Sequence, residues 1–185
     1  MLIGDFEEDC EFLLNKIKKM KLFTVCNRAK LNNGKSPYSC VYGYTNFSSN
    51  GGKSYLKKKE SDISGLYETK LKTKYPEMEQ YFKDFSLLYL GDFQFNQVVI
   101  NKNFEITRHI DGKNVGESYI LGLGDYQGGE LVVEENNNEK KIIDIKNYPF
   151  RFDGSKQYHY VLPFQGERYS LVFYKIDFLV SSCKK

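Results

Sequence analysis

Histidine is almost missing from this chain: 185 residues contain two, His109 and His159. Cysteine is scarce and scattered. Cys10, Cys26, Cys40 and Cys183 form no CxxC pair, which argues against a zinc cluster. That usage suits a reduced, intracellular protein of cytoplasm or nucleus rather than a secreted one. The first residues, MLIGDFEEDCEF, are acidic and have no apolar h-region, so no signal peptide is expected. No apolar run approaches the ~18 residues a membrane span needs. Net charge is only +3, too small to imply a polyanion partner by itself. No internal repeat and no composition break divides the chain, so a single domain over 1–185 is expected.

Apolar and aromatic residues are plentiful, at 41% and 16%. They allow a core that needs no disulfide help. Lysines cluster at Lys16, Lys18, Lys19 and Lys21, at Lys57, Lys58 and Lys59, and at Lys70, Lys72 and Lys74. Such runs usually mark a solvated face and less often a phosphate-binding one. Residues 5–20 place Phe6, Cys10, Leu13, Leu14 and Ile17 on one face, with acids early and lysines late, which predicts an amphipathic helix. Residues 32–65, rich in Gly, Ser, Asn and Lys, read as long loops around short strands. Residues 75–90, YPEMEQYFKDFSLLYL, predict a second helix opened by Pro76. From about residue 93 the pattern turns to short β-branched and aromatic strands: FQFNQVVI, ITRHI, SYILGLG, GELVVEE, KIIDI, FRFD, YHYVLPF and YSLVFYKI. Eight short strands imply a sandwich or small barrel. The reading is therefore α+β, with 1–92 helical and loop-rich, 93–180 a β core, and the helices packed on one face.

The chemistry starts at TRHIDGKNVGES. His109 and Asp111 are two apart, so an extended backbone turns both to the same side. An imidazole and a carboxylate there can grip one metal ion, and His159 on another strand can supply the third ligand. Two His and one carboxylate leave three positions open, the arrangement of non-haem Fe(II) oxygenases. Further on, GERYSLVFYKI puts Arg168, Ser170, Val172, Tyr174 and Ile176 on one face. An arginine aimed into a barrel needs an anionic partner. Its planar fork suits a ligand carboxylate, and Ser170 can add a hydroxyl.

HxD, H and RxS in this order on a β-rich half resemble the Fe(II)/2-oxoglutarate-dependent dioxygenases. The resemblance implies a double-stranded β-helix (jelly-roll) core with His109, Asp111 and His159 on Fe(II). Arg168 and Ser170 would hold the distal carboxylate of 2-oxoglutarate, and Asn101 would contact the same co-substrate. Dioxygen would be consumed, with succinate and CO2 released, a C–H bond hydroxylated, and ascorbate assisting. GGEL at 128–131 recurs in several branches, prolyl hydroxylases included.

The extended motif H-x-D-x-x-N, with Asn114, and the strand RYSLVFY resemble the TET/JBP oxygenases over roughly residues 70–176. These hydroxylate the methyl group of thymine or 5-methylcytosine in nucleic acid, so DNA or another nucleic acid is the implied partner. Asn114 would hydrogen-bond the base and Tyr174 would stack on it. Asn114 also reads as a turn residue bonding its own backbone, and Tyr174 as core packing. The 5-methylcytosine members carry a histidine two residues after the tyrosine. Here that position is Ile176, which leaves thymine or a substrate outside nucleic acid open. The animal enzymes' cysteine-rich zinc region is absent. Two other readings stand beside this one: a prolyl- or lysyl-type protein hydroxylase of the same superfamily, and a non-catalytic jelly-roll that binds a ligand.

Overall fold

A computed structural model describes residues 2–46, 66–135 and 139–178. Helix α1 (Phe6–Lys18) starts where Asp5 accepts a hydrogen bond from the Glu8 amide. Glu7, Glu8 and Asp9 lie in its first turn and Lys16 and Lys18 in its last, matching the helix dipole. It buries Cys10, Leu13 and Ile17, the stripe read from the sequence. A 3-10 helix (Cys26–Asn32) buries nothing and ends at Asn33 in the left-handed region. Strands β1 (Tyr38–Asn46) and β2 (Leu66–Glu68) follow, then the short helix α2 (Lys70–Lys74) and helix α3 (Met78–Tyr89). The remaining strands are β3 (Gln97–Lys102), β4 (Ser118–Gly128), β5 (Leu131–Glu134), β6 (Lys140–Ile143), β7 (Phe150–Phe152), β8 (His159–Val161) and β9 (Phe164–Tyr174).

Two antiparallel sheets result. The larger has the order β2-β1-β3-β9-β4-β7 and the smaller β6-β5-β8. Their facing arrangement is a double-stranded β-helix. Strand alternation splits the larger sheet cleanly. Cys40, Val98, Ile100, Leu121, Leu171 and Phe173 point outward, where α1 and α3 cover them with Leu13, Ile17, Phe82 and Phe85. The other face turns toward the smaller sheet and carries the polar row Ser39–Asn101–Ser170–Gly122, each opposite the next. Both expected helices and the packing of helices on one face are present.

Two expectations change in detail. The stretch 32–65 yields the nine-residue strand β1, which joins β3 inside the larger sheet; residues 47–65, with the Lys57–Lys59 cluster, lie outside the described residues. The segment ITRHI is not a strand. His109 makes one bridge to His159, and the backbone then turns as the Asn114 amide bonds the Asp111 carbonyl at 3.0 Å. Gly112 and this turn end the ladder after a single pair.

Candidate metal centre and co-substrate pocket

The bridge brings the two histidines together. His109 and His159 exchange backbone hydrogen bonds of 3.0 Å each way, and their ring centroids are 4.2 Å apart. Each Nδ1 lies 2.9 Å from the carbonyl two residues earlier, Thr107 for His109 and Gln157 for His159. A carbonyl only accepts, so each Nδ1 carries a proton and each Nε2 is turned toward Asp111. The Asp111 carboxylate sits between them: His109 Nε2 is 3.5 Å from Oδ1 and His159 Nε2 is 3.6 Å from Oδ2. All three ligand atoms lie within 4.8 Å of one another. The Asp111 amide donates to the Gly154 carbonyl at 2.8 Å, and Phe152 packs edge-on against His159. Burial works to raise the Asp111 carboxyl, but hydrogen bonds from His109 and His159 outweigh it and hold the group far below the usual carboxylate range. The donor set is thus two imidazoles and a carboxylate, close enough together that one metal ion could be held by all three.

A cavity of about 330 Å³ opens beside this triad, walled by residues of both sheets. On one side it is apolar, with Phe104, Ile106, Ile120, Leu131, Val161 and Val172. Asn101 and Ser170 also border it, joined by an Asn101 Nδ2 to Ser170 Oγ hydrogen bond of 3.1 Å. The Asn101 Oδ1 and Ser39 Oγ atoms are buried with no hydrogen-bond partner among the described residues.

Arg168 lies two residues before Ser170 and is fully buried, at 1% exposure. It is not part of the cavity wall. Its guanidinium sits 5.4 Å from the Tyr126 ring centre and 5.5 Å from that of Phe164. Nε and Nη2 have no partner among the described residues, and neither does the Tyr126 hydroxyl. Burial pulls the guanidinium's pKa down. A buried cation without a carboxylate is costly unless a ligand supplies one. The glycines explain how it fits. A Cβ on Gly129 would lie 2.9 Å from Arg168 Nε, and one on Gly122 would run into the Tyr126 hydroxyl.

The other end of the cavity is polar. Tyr174 and Asn114 border it, with Gln97, Thr69 and Arg28. The Tyr174 hydroxyl donates to Gln97 Oε1, which fixes the ring. Asn114 Nδ2 makes two long contacts, 3.4 Å to Asp111 Oδ2 and 3.3 Å to Ser118 Oγ. Its backbone bridges Ile176, also at the wall. Asn114 therefore has both its expected roles open: it closes the Asp111 turn and it faces the cavity.

Every sequence-selected residue except Arg168 borders this one cavity, and Arg168 stands immediately behind Ser170. Sequence reading missed Gln97, Tyr126 and Arg28. Tyr126 had a signal in the GLGDYQGG run, where glycines in a strand mark room left for something else. Gln97 and Arg28 had none, because their relevance depends on tertiary placement. The lysine clusters are largely committed elsewhere. Lys18 pairs with Glu167 at 2.9 Å and buried Lys72 pairs with Glu79. Lys16, Lys70 and Lys74 lie over aromatic rings of Phe12, Phe23 and Tyr75.

No family model matches the sequence. No curated protein matches it either. Solved structures do. NgTET1 in complex with 5mC DNA superposes over 95% of this chain and 70% of its own, with a TM-score of 0.57 and 14% identity. A prolyl-4-hydroxylase from Pseudomonas putida superposes over 95% of this chain and 89% of its own, at 0.50 and 16%. A 2OG-Fe(II) oxygenase family oxidoreductase from Burkholderia pseudomallei matches 54% of this chain and 57% of that one, at 0.45 and 19%. The NgTET1 and Pseudomonas putida superpositions show the fold to be a double-stranded β-helix. No helix among the described residues is long and apolar enough to cross a membrane.

Proposed function

We propose that this protein is an Fe(II)- and 2-oxoglutarate-dependent dioxygenase. It hydroxylates a C–H bond, taken here to be the 5-methyl group of thymine or 5-methylcytosine in nucleic acid. The observation that carries the enzyme class is the pairing of a preorganised His109–Asp111–His159 triad with the unpartnered, buried guanidinium of Arg168. Iron, 2-oxoglutarate and dioxygen together supply the oxidising power that turns C–H into C–OH, releasing succinate and CO2. The protein does the rest. His109, Asp111 and His159 hold the ion. Arg168 and Ser170 receive the distal carboxylate, with Asn101 steadying Ser170. The apolar wall of Phe104, Ile106 and Val161 excludes water from the reacting centre.

The nucleobase reading rests on the opposite end of the cavity. Tyr174, its ring held through Gln97, offers a surface for a planar ring. Asn114 accepts no hydrogen bond at its side-chain oxygen among the described residues, leaving that oxygen for a base edge. Ile176 lines the position where a polar reader of cytosine would stand, which favours thymine. A base must leave the helix to reach such a site, and stacking plus edge hydrogen bonds hold it there.

Protein side-chain hydroxylation is the second reading. It is favoured by one observation: five of the seven clustered lysines among the described residues (Lys16, Lys18, Lys70, Lys72 and Lys74) are tied to carboxylates or rings. One experiment separates the two. The protein is incubated with Fe(II), 2-oxoglutarate and ascorbate on DNA containing thymine and 5-methylcytosine. Nucleosides and succinate are then quantified by mass spectrometry. Hydroxymethylated base with matching succinate is expected. Succinate without a modified base would keep the dioxygenase and reject DNA as the substrate, leaving protein or RNA.

A further inference from the structure

Iron and 2-oxoglutarate account for Asp111 and Arg168 but not for two cations at the polar end of the cavity. Arg28 stands on the 3-10 helix Cys26–Asn32, and Lys113 sits in the turn between Asp111 and Asn114. Among the described residues, neither side chain has a hydrogen bond or carboxylate partner. Three other cations of the fold are paired instead. Arg108 is held by Glu134, Arg151 by Glu117 and Lys102 by Glu167. Burial raises the Tyr174 phenol's pKa, and the charge of Arg28 opposes that rise, so the guanidinium acts at the ring assigned to the substrate. Its carrier helix buries no residue, so Arg28 is not there to complete the core.

We propose that Arg28 is a substrate-binding residue that grips a backbone phosphate of the nucleotide whose base enters the cavity. The inference rests on the nucleobase reading above. Once a base swings into the cavity, its own phosphodiester stays at the mouth, on the side from which the base entered. A planar guanidinium matches two phosphate oxygens with two parallel hydrogen bonds. Lys113 adds a point charge on the same rim. Arg168 cannot serve, because it stands beside Ser170, six residues along β9 from Tyr174 and the polar end.

The test is equilibrium binding of a fluorescent DNA duplex containing thymine and 5-methylcytosine, followed by anisotropy over a salt series. Arg28→Ala weakens binding by about tenfold, the scale of one charged hydrogen-bonded contact. It also flattens the dependence of log K on log salt by about 0.9, one phosphate's worth. Arg28→Lys restores the slope. Methylphosphonates at the phosphates flanking the target weaken the wild type and leave Arg28→Ala indifferent. An unchanged slope in Arg28→Ala, with the DNA still oxidised by the wild type, overturns this proposal alone. A wild type that neither binds nor oxidises the duplex overturns it together with the nucleobase reading. If Arg28→Ala instead weakens the 2-oxoglutarate thermal shift, Arg28 belongs to the co-substrate and the proposal fails.

Discussion

Arg168 is the residue on which the co-substrate assignment turns. Its guanidinium is buried between Tyr126 and Phe164 with two nitrogens unsatisfied. An unpaired buried charge costs several kcal/mol, and a hydrophobic side chain of similar volume often removes that cost. Arg168→Met is therefore expected to leave the ligand-free protein as stable as the wild type or more so, while abolishing stabilisation by 2-oxoglutarate. With Mn(II) as a redox-silent ion and 2-oxoglutarate at about 100 times Kd, the wild type gains about 2.7 kcal/mol. For a chain of this size that is a rise in Tm of roughly 5–10 °C. A variant that keeps this rise would remove Arg168 from the site. Gly129 makes the companion case. Its φ of +74° and the 2.9 Å approach of a Cβ to Arg168 Nε leave no room for alanine. Gly129→Ala should cost about 1–3 kcal/mol in urea unfolding and raise the apparent KM for 2-oxoglutarate. Destabilisation without a KM change would mean the arginine's placement is irrelevant to the co-substrate.

At the scale of elements, the strands bring the ligands and the helices hold the strands. Strand β8 and the turn at 109–114 carry the triad, β9 carries Ser170 and Arg168, and α1 and α3 seal the outer face of the larger sheet. The N-terminus is tied to this layer through Asp9 on α1. Its carboxylate accepts hydrogen bonds from the Ile3 amide at 2.8 Å, the Gly4 amide at 2.9 Å and the Tyr89 hydroxyl on α3. Burial raises the Asp9 carboxyl, and these donors more than offset it, so the net shift is downward from 3.8. The depressed folded value means the unfolded chain binds the proton first. The stabilisation is complete above the ordinary carboxylate pKa and fades as pH falls below 3.8 through the lower folded value. Asp9→Ala should cost about 1–3 kcal/mol near neutral pH, because three donors lose their acceptor. The loss should shrink in unfolding measurements taken below pH 3.8. A deficit independent of pH would contradict the charged carboxylate.

Across the whole molecule, the two long helices and most strands were legible because their periodicity is local, whereas α2 and the 3-10 helix were not. The stripe Cys10–Leu13–Ile17 and the alternation Arg168–Ser170–Val172–Tyr174 both point where the sequence says. The candidate site was legible because His109 and Asp111 stand two apart, and their side chains converge although the ladder there holds for a single pair. What escaped was set by partners distant in sequence. Strand β1 is hidden in a Gly- and Ser-rich stretch and is held by pairing with β3. ITRHI has strand composition but loses its ladder to the turn at Gly112. Gln97 matters only because Tyr174 lies across the sheet from it. Arg168 faces inward as expected, yet it lies behind the cavity wall because Tyr126 and Phe164 flank it.

The most direct test of the central claim is anaerobic titration of the metal-free protein with Fe(II), then 2-oxoglutarate, read by metal analysis and visible absorption. The account predicts one iron per chain and a metal-to-ligand charge-transfer band that appears only when 2-oxoglutarate is added. His109→Ala and Asp111→Ala should lose the iron while keeping the wild-type circular dichroism. Arg168→Met should keep the iron and need far more 2-oxoglutarate to produce the band. Iron binding that survives both His109→Ala and Asp111→Ala, or a saturated iron site that gives no band with 2-oxoglutarate, would contradict it.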